Sequence, residues 1–142
     1  MEKVVIPIDV RYQETDQMGV VYHANYLVWF EIARTKYVES LGLSYVEMEK
    51  QNIVSPVIDA HVRFKKPIRF GENPTVETWL NTYDGLRTTF GYNVVNEQGE
   101  IAVTGTTEHV FVKKDTFRPL SLRKVCPKWH EAYLNMLDRD GE

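Results

Sequence analysis

Between Arg11 and Tyr26 the chain reads Arg-Tyr-Gln-Glu-Thr-Asp-Gln-Met-Gly-Val-Val-Tyr-His-Ala-Asn-Tyr, a polar loop that carries a carboxylate at Asp16, a glycine at Gly19 and a histidine at His23, directly before a helix. A carboxylate can take a proton from water or attack an electrophilic carbon itself. A helix start offers unpaired N–H groups and the positive end of a dipole, both suited to a developing oxyanion. The N–H groups around Tyr22 to Ala24 stand at that position, and Gly19 lets the backbone turn and approach closely. The same residue types also fit a plain turn at Asp16 and a satisfied first-turn histidine at His23, so types and spacing alone leave both readings open.

The elements that must hold this loop follow from periodicity. Val4, Ile6, Ile8, Val10 and Tyr12 alternate with Pro7, Asp9 and Arg11, the two-residue period of a half-buried strand, with Pro7 marking an edge. Beyond the loop, Tyr26, Phe30, Ala33, Tyr37 and Leu41 fall on one stripe of a helix that Gly42 ends. Leu27, Val28, Trp29 and Ile32 make the first half of that helix apolar on its other sides, which predicts that something wraps it. Ser44 and Glu47 have capping-box spacing for a short second helix to about Gln51. Ile58, Ala60, Val62 and Phe64 alternate with Asp59, His61, Arg63 and Lys65 in a strand. Strands over residues 75–83, 88–96 and 101–113 follow, joined by glycine-containing turns as an antiparallel meander. Pro127 opens a short closing helix with Trp129, Tyr133, Met136 and Leu137. This order predicts an α+β fold, a curved antiparallel five-stranded sheet wrapped around a long central helix, in a single domain over residues 1–142. A sheet so curled leaves open edges, and pairing with a second copy would cover them.

Composition narrows the function classes. The chain has 142 residues, 43% hydrophobic and 12% aromatic, which suits one folded core. Lys+Arg 17 against Asp+Glu 20 gives a net charge of −3, with no basic block, so nucleic-acid binding is not expected. The longest apolar run, Tyr26 to Phe30, is far too short to span a bilayer, and residues 1–12 lack a leader pattern, which points to a cytoplasmic protein without membrane insertion. Cys126, the single cysteine, forms no intramolecular disulfide. There is no Gly-x-Ser-x-Gly elbow, no His-Glu-x-x-His and no phosphate-cradling glycine loop, and His23, His61, His109 and His130 lie far apart. No metal site and no cofactor are expected.

The segment Tyr12 to Tyr26 resembles the signature of the hotdog-fold acyl-CoA thioesterases of the 4-hydroxybenzoyl-CoA thioesterase type, especially the branch similar to the bacterial Tol-Pal-associated thioesterases. The order of elements agrees over almost the whole chain. The resemblance implies a catalytic carboxylate at Asp16, an assisting His23, Tyr12 near the acyl group, and an active site built across the interface of a homo-oligomer, dimeric or tetrameric. It implies hydrolysis of a small to medium acyl-CoA, or an acyl-carrier-protein thioester, with Asp16 as general base or nucleophile. Tyr12 has packing at a strand end as its other reading.

Gly19, Val20, Val21 and Tyr22 are the expected substrate contacts, with Val20, Val21 and Trp29 suggesting an acyl slot. Arg87 matches a position where related thioesterases hold basic residues near the coenzyme nucleotide, and Lys65, Lys66 and Arg69 compete for that role. Glu31 and Arg34 have the spacing of a local ion pair. Two other functions fit the scaffold, a hotdog enoyl-CoA hydratase or dehydratase and a non-catalytic acyl-CoA-binding module. Only the thioesterase releases free thiol with turnover.

Overall fold

The computed structural model describes residues 3–140, with side chains as far as residue 137. Asn25–Ser40 forms helix α1 and buries Tyr26, Trp29, Phe30, Ala33, Tyr37 and Val38, which carries the expected stripe as far as Tyr37. Leu41 lies just beyond the helix and is half-buried. Gly42, at φ +78°, ends the helix as expected.

Around α1 run β1 (Val4–Pro7), β2 (Ile53–Val54), β3 (Val57–Phe64), β4 (Thr75–Tyr83), β5 (Arg87–Val95), β6 (Ile101–Val110) and β7 (Val112–Lys113). Five of them make one antiparallel sheet in the order β1-β4-β5-β6-β3, so the predicted meander is its centre and β3 its outer edge. Val76 and Leu80 of β4, and Phe90, Tyr92 and Val94 of β5, turn their alternate, buried side chains toward the helix. The Phe30 ring stacks on Tyr92 at 4.2 Å and 8°.

Three boundaries differ from the sequence reading by more than a residue. The first strand stops at Pro7 rather than Tyr12, because proline cannot donate to the ladder; Ile8 and Val10 stay buried beyond the sheet. The predicted strand over 101–113 breaks at Phe111, after which β7 pairs with β2 in a separate ribbon too short for periodicity to reveal. The closing helix is longer than expected: α3 (Leu122–Val125) precedes α4 (Pro127–Asp140), whose Trp129, Tyr133 and Met136 are buried. The second helix, α2 (Tyr45–Lys50), is capped by Ser44, whose hydroxyl accepts the Val46 N–H, while Glu47 pairs with Lys50 instead of closing a capping box.

The expected Glu31–Arg34 pair does not form. Arg34 instead donates to the hydroxyls of Tyr92, at 3.3 Å, and Tyr45. The Tyr92 hydroxyl meets Thr107 Oγ1 at 2.7 Å, and Thr107 Oγ1 meets His109 Nε2 at 2.8 Å. Burial, reinforced by the Arg34 charge and opposed by a hydrogen bond to the Ser55 backbone, pulls the His109 pKa down to about 4. In the unfolded chain the same group titrates near pH ~6.5. The neutral imidazole therefore contributes stability in full above pH ~6.5, and that contribution is lost as pH falls through ~6.5 toward ~4. The unfolding free energy from urea titrations is expected to drop over this window by an amount on the order of 3 kcal/mol, and His109→Gln to flatten that part of the profile.

α1 is covered by the sheet on one side only. Leu27, Val28 and Ile32 stay exposed, as do Val57, Ile58 and Phe64 on β3. Among the described residues no helix is long and apolar enough to cross a membrane.

Candidate active site

Arg11 leads into a 3-10 turn over Tyr12–Glu14, and residues 15 to 21 then double back as a small hairpin. Thr15 bridges Val21, the Asp16 N–H donates to the Val20 carbonyl at 2.9 Å, and the Gly19 N–H to the Asp16 carbonyl at 3.0 Å. Gly19 has φ +79°, a backbone conformation that glycine adopts without strain, and a Cβ there would meet no atom of the described residues within 4 Å. The Val21 N–H donates to the Ile68 carbonyl at 2.8 Å, which pins the hairpin to the segment after β3.

Asp16 Oδ1 accepts the Met18 N–H at 2.8 Å, the side-chain-to-backbone bond of a turn aspartate. Its other oxygen makes no hydrogen bond among the described residues. The turn role and the exposure of a carboxylate to a site thus coexist. Asp16 lines a cavity of about 310 Å³ together with Val20, Val21, His23, Tyr26, Phe64 and Lys65. The His23 and Phe64 rings are edge-on at 6.3 Å, and Tyr26 and Phe64 lie at 5.7 Å, so much of the wall is aromatic.

At the helix start the Tyr22 N–H is already donated to the Glu14 carbonyl at 2.8 Å. The first turn closes with Asn25 N–H to the Tyr22 carbonyl and Tyr26 N–H to the His23 carbonyl. This leaves the N–H groups of His23 and Ala24 without an acceptor among the described residues. The three amides expected to be free are two.

Other expected residues lie elsewhere. Tyr12 is 76% exposed and meets the Phe70 ring edge-on at 5.6 Å, apart from the cavity lining. Trp29 is fully buried and turns its indole N–H to Glu14, not into the acyl slot suggested for it. The Arg87 guanidinium lies 3.4 Å from Glu108, in a separate surface hollow with Thr82 and Asp84. Lys65 and Lys66 do line the cavity, although Lys66 is also paired with Glu100. Phe64 and Glu14 were not singled out from sequence. The end of β3 reaches the site only through the sheet, and Glu14 carried no sign of burial beside an equally polar neighbourhood.

Residues 10–130 match the family model of the thioesterase-like superfamily. “Putative acyl-CoA thioesterase YneP” of Bacillus subtilis is 48% identical over 126 residues, covering 89% of this chain and 91% of that protein. The 1,4-dihydroxy-2-naphthoyl-CoA hydrolase of Thermosynechococcus vestitus is 26% identical over 121 residues, covering 84% of this chain and 83% of that one. The crystal structure of a DHNA-CoA thioesterase from Staphylococcus aureus superposes with a TM-score of 0.95 at 47% identity, over 100% of this chain and 97% of that one. With its sheet curled on a single long helix and the family match running from residue 10 to residue 130, the chain belongs to the thioesterase-like superfamily and has its hotdog fold.

Proposed function

We propose that the chain hydrolyses acyl-CoA thioesters to free acid and coenzyme A in the cavity beside Asp16. The observation that carries this reading is one carboxylate with an oxygen uncommitted among the described residues, in a cavity that also holds His23, whose N–H and that of Ala24 have no acceptor among those residues. As general base, Asp16 takes a proton from water while the water oxygen bonds to the thioester carbon; as nucleophile, it bonds to that carbon itself and water later cleaves the anhydride. On either route the carbonyl oxygen gains negative charge beside the two N–H groups, each such donor being typically worth roughly 3 to 4 kcal/mol. Collapse breaks the C–S bond and releases a thiolate; an ordinary thiol ionises near pH ~8.5, so a strong general acid is not required. His23 orients the water or Asp16.

The aromatic wall formed by Tyr26, Phe64 and His23 suits a flat aromatic acyl group, in keeping with the naphthoyl-CoA named for one relative. Lys65, one of the lining residues, supplies a cation for the coenzyme phosphates in this reading. In a thiol-release panel, benzoyl- and naphthoyl-CoA are expected to give higher kcat/KM than acetyl-, hexanoyl- and palmitoyl-CoA or an acyl-carrier-protein thioester. Turnover of the straight chains with the aromatic ones inert would overturn the aromatic preference.

The working form in this reading is a homo-oligomer with the site at a subunit interface. Among the described residues β3 pairs on one side only, and the apolar side chains of Ile58 and Phe64 on it are exposed; a second copy paired there would extend the sheet and close the open side of the cavity. Arg87, distant from the Asp16 cavity in its own chain, would then serve the site of a neighbouring copy. Ile58→Lys is expected to shift the protein to monomer in light scattering and to lower activity in parallel. A wild type that is monomeric at full activity would contradict the interface site.

A further inference from the structure

Two residues before Asp16 stands Glu14, the one buried acid among the described residues at 4% exposure. A buried carboxylate costs folding energy unless its oxygens are satisfied, and an apolar side chain of like size would fill the same space more cheaply. What the carboxylate does that an apolar group cannot is hold several donors at once. One oxygen accepts the Arg11 N–H at 2.8 Å; the other accepts the Trp29 indole N–H at 3.0 Å and lies 3.5 Å from the Arg11 guanidinium. The main-chain carbonyl of the same residue accepts the Tyr22 N–H and the Asn25 side-chain amide, each at 2.8 Å. Burial pushes the Glu14 carboxyl up, but the hydrogen bonds from Arg11 and Trp29 and the Arg11 charge outweigh it, leaving its pKa below the ordinary value.

These contacts join the base of the Asp16 hairpin to the first two turns of α1. Arg11 lies before the hairpin, Trp29 and Asn25 are in the helix, and Tyr22 immediately precedes the two amides that have no acceptor among the described residues. We propose that Glu14 is the positioning residue of the site, fixing the separation between the Asp16 carboxylate and the N–H groups of His23 and Ala24 without touching substrate. The inference rests on the reading of Asp16 as the reacting carboxylate. Misplacement of a reacting group by about 1 Å can cost ~10²-fold in rate.

Glu14→Gln tests it, because the amide keeps the shape but can accept at only one of its two ends, leaving either the indole or the Arg11 N–H facing another donor. With benzoyl-CoA as probe, kcat is expected to fall about 10-fold or more with KM held within about 2-fold. Adding Trp29→Phe to this variant removes the indole donor and is expected to restore part of kcat, which simple loss of stability would not produce. A folded Glu14→Gln protein with wild-type kcat, or a loss that appears only in KM, overturns the proposal. If Glu14→Gln does not fold, Trp29→Phe alone carries the test: a lowered kcat at unchanged KM supports the clamp, and an unchanged kcat overturns it. Asp16→Asn run alongside separates the two claims. If Asp16→Asn is inactive while Glu14 variants keep kcat, only the positioning role fails; if Asp16→Asn keeps activity, the reading of the site fails and the proposal with it.

Discussion

Asp16→Asn is expected to lower thiol release from acyl-CoA by about 10²-fold or more, the usual loss when an acid/base group is removed. The substitution is close to structurally silent by construction. Asn keeps the oxygen that accepts the Met18 N–H, so the turn over residues 16–19 and the bridge between Thr15 and Val21 can persist. Stability should therefore change by no more than about 0.5 kcal/mol. Both chemical routes need the ionised carboxylate, so both predict the loss. Activity within a few-fold of wild type at equal oligomeric state would assign the chemistry to another group.

The second large effect lies in the core that supports the site. Gly105→Ala is expected to cost about 1–3 kcal/mol of stability or more, measured as a lowered urea midpoint. A Cβ at Gly105 would stand 2.4 Å from the Phe30 ring and 2.9 Å from the His61 carbonyl oxygen. The ring cannot swing away, because Phe30 is fully buried and stacked on Tyr92. The carbonyl belongs to β3, which pairs there with β6, so yielding would distort the sheet edge. Phe30→Leu in the Gly105→Ala background should recover part of the loss by removing the ring clash and leaving only the backbone one. Phe30→Ala by itself should cost about 3–5 kcal/mol, the range for emptying a buried aromatic position. A Gly105→Ala protein as stable as wild type would mean that the helix does not sit on the sheet at this distance.

The parts of the molecule legible in sequence are those fixed by near neighbours along the chain. The stripe from Tyr26 to Tyr37 announces α1, and the alternation of Ile58 to Phe64 announces β3, because each pattern is completed within a few turns or residues. Asp16, Gly19 and His23 stand close enough in sequence for a local motif to carry them, and the structure brings Asp16 and His23 to one cavity. The network of Arg34, Tyr45, Tyr92, Thr107 and His109 could not be read this way: it is assembled from α1, α2, β5 and β6, and local spacing offered Arg34 only Glu31 as a partner. Tyr12 illustrates the opposite error. Alternation continues to it, yet Pro7 ends the ladder first, and the ring turns to Phe70. The two-residue strands β2 and β7 are too short to show any period.

Turnover at the thioester is measured as the amount of free thiol formed per protein chain from benzoyl-CoA and naphthoyl-CoA, followed with a thiol reagent at neutral pH. Many equivalents of thiol per chain are expected, with free acid formed in equal amount. Acyl-CoA that binds, by calorimetry, while its thioester stays intact would contradict hydrolysis and leave a binding module; loss of an enoyl chromophore from an enoyl-CoA with the thioester retained would make the protein a hydratase.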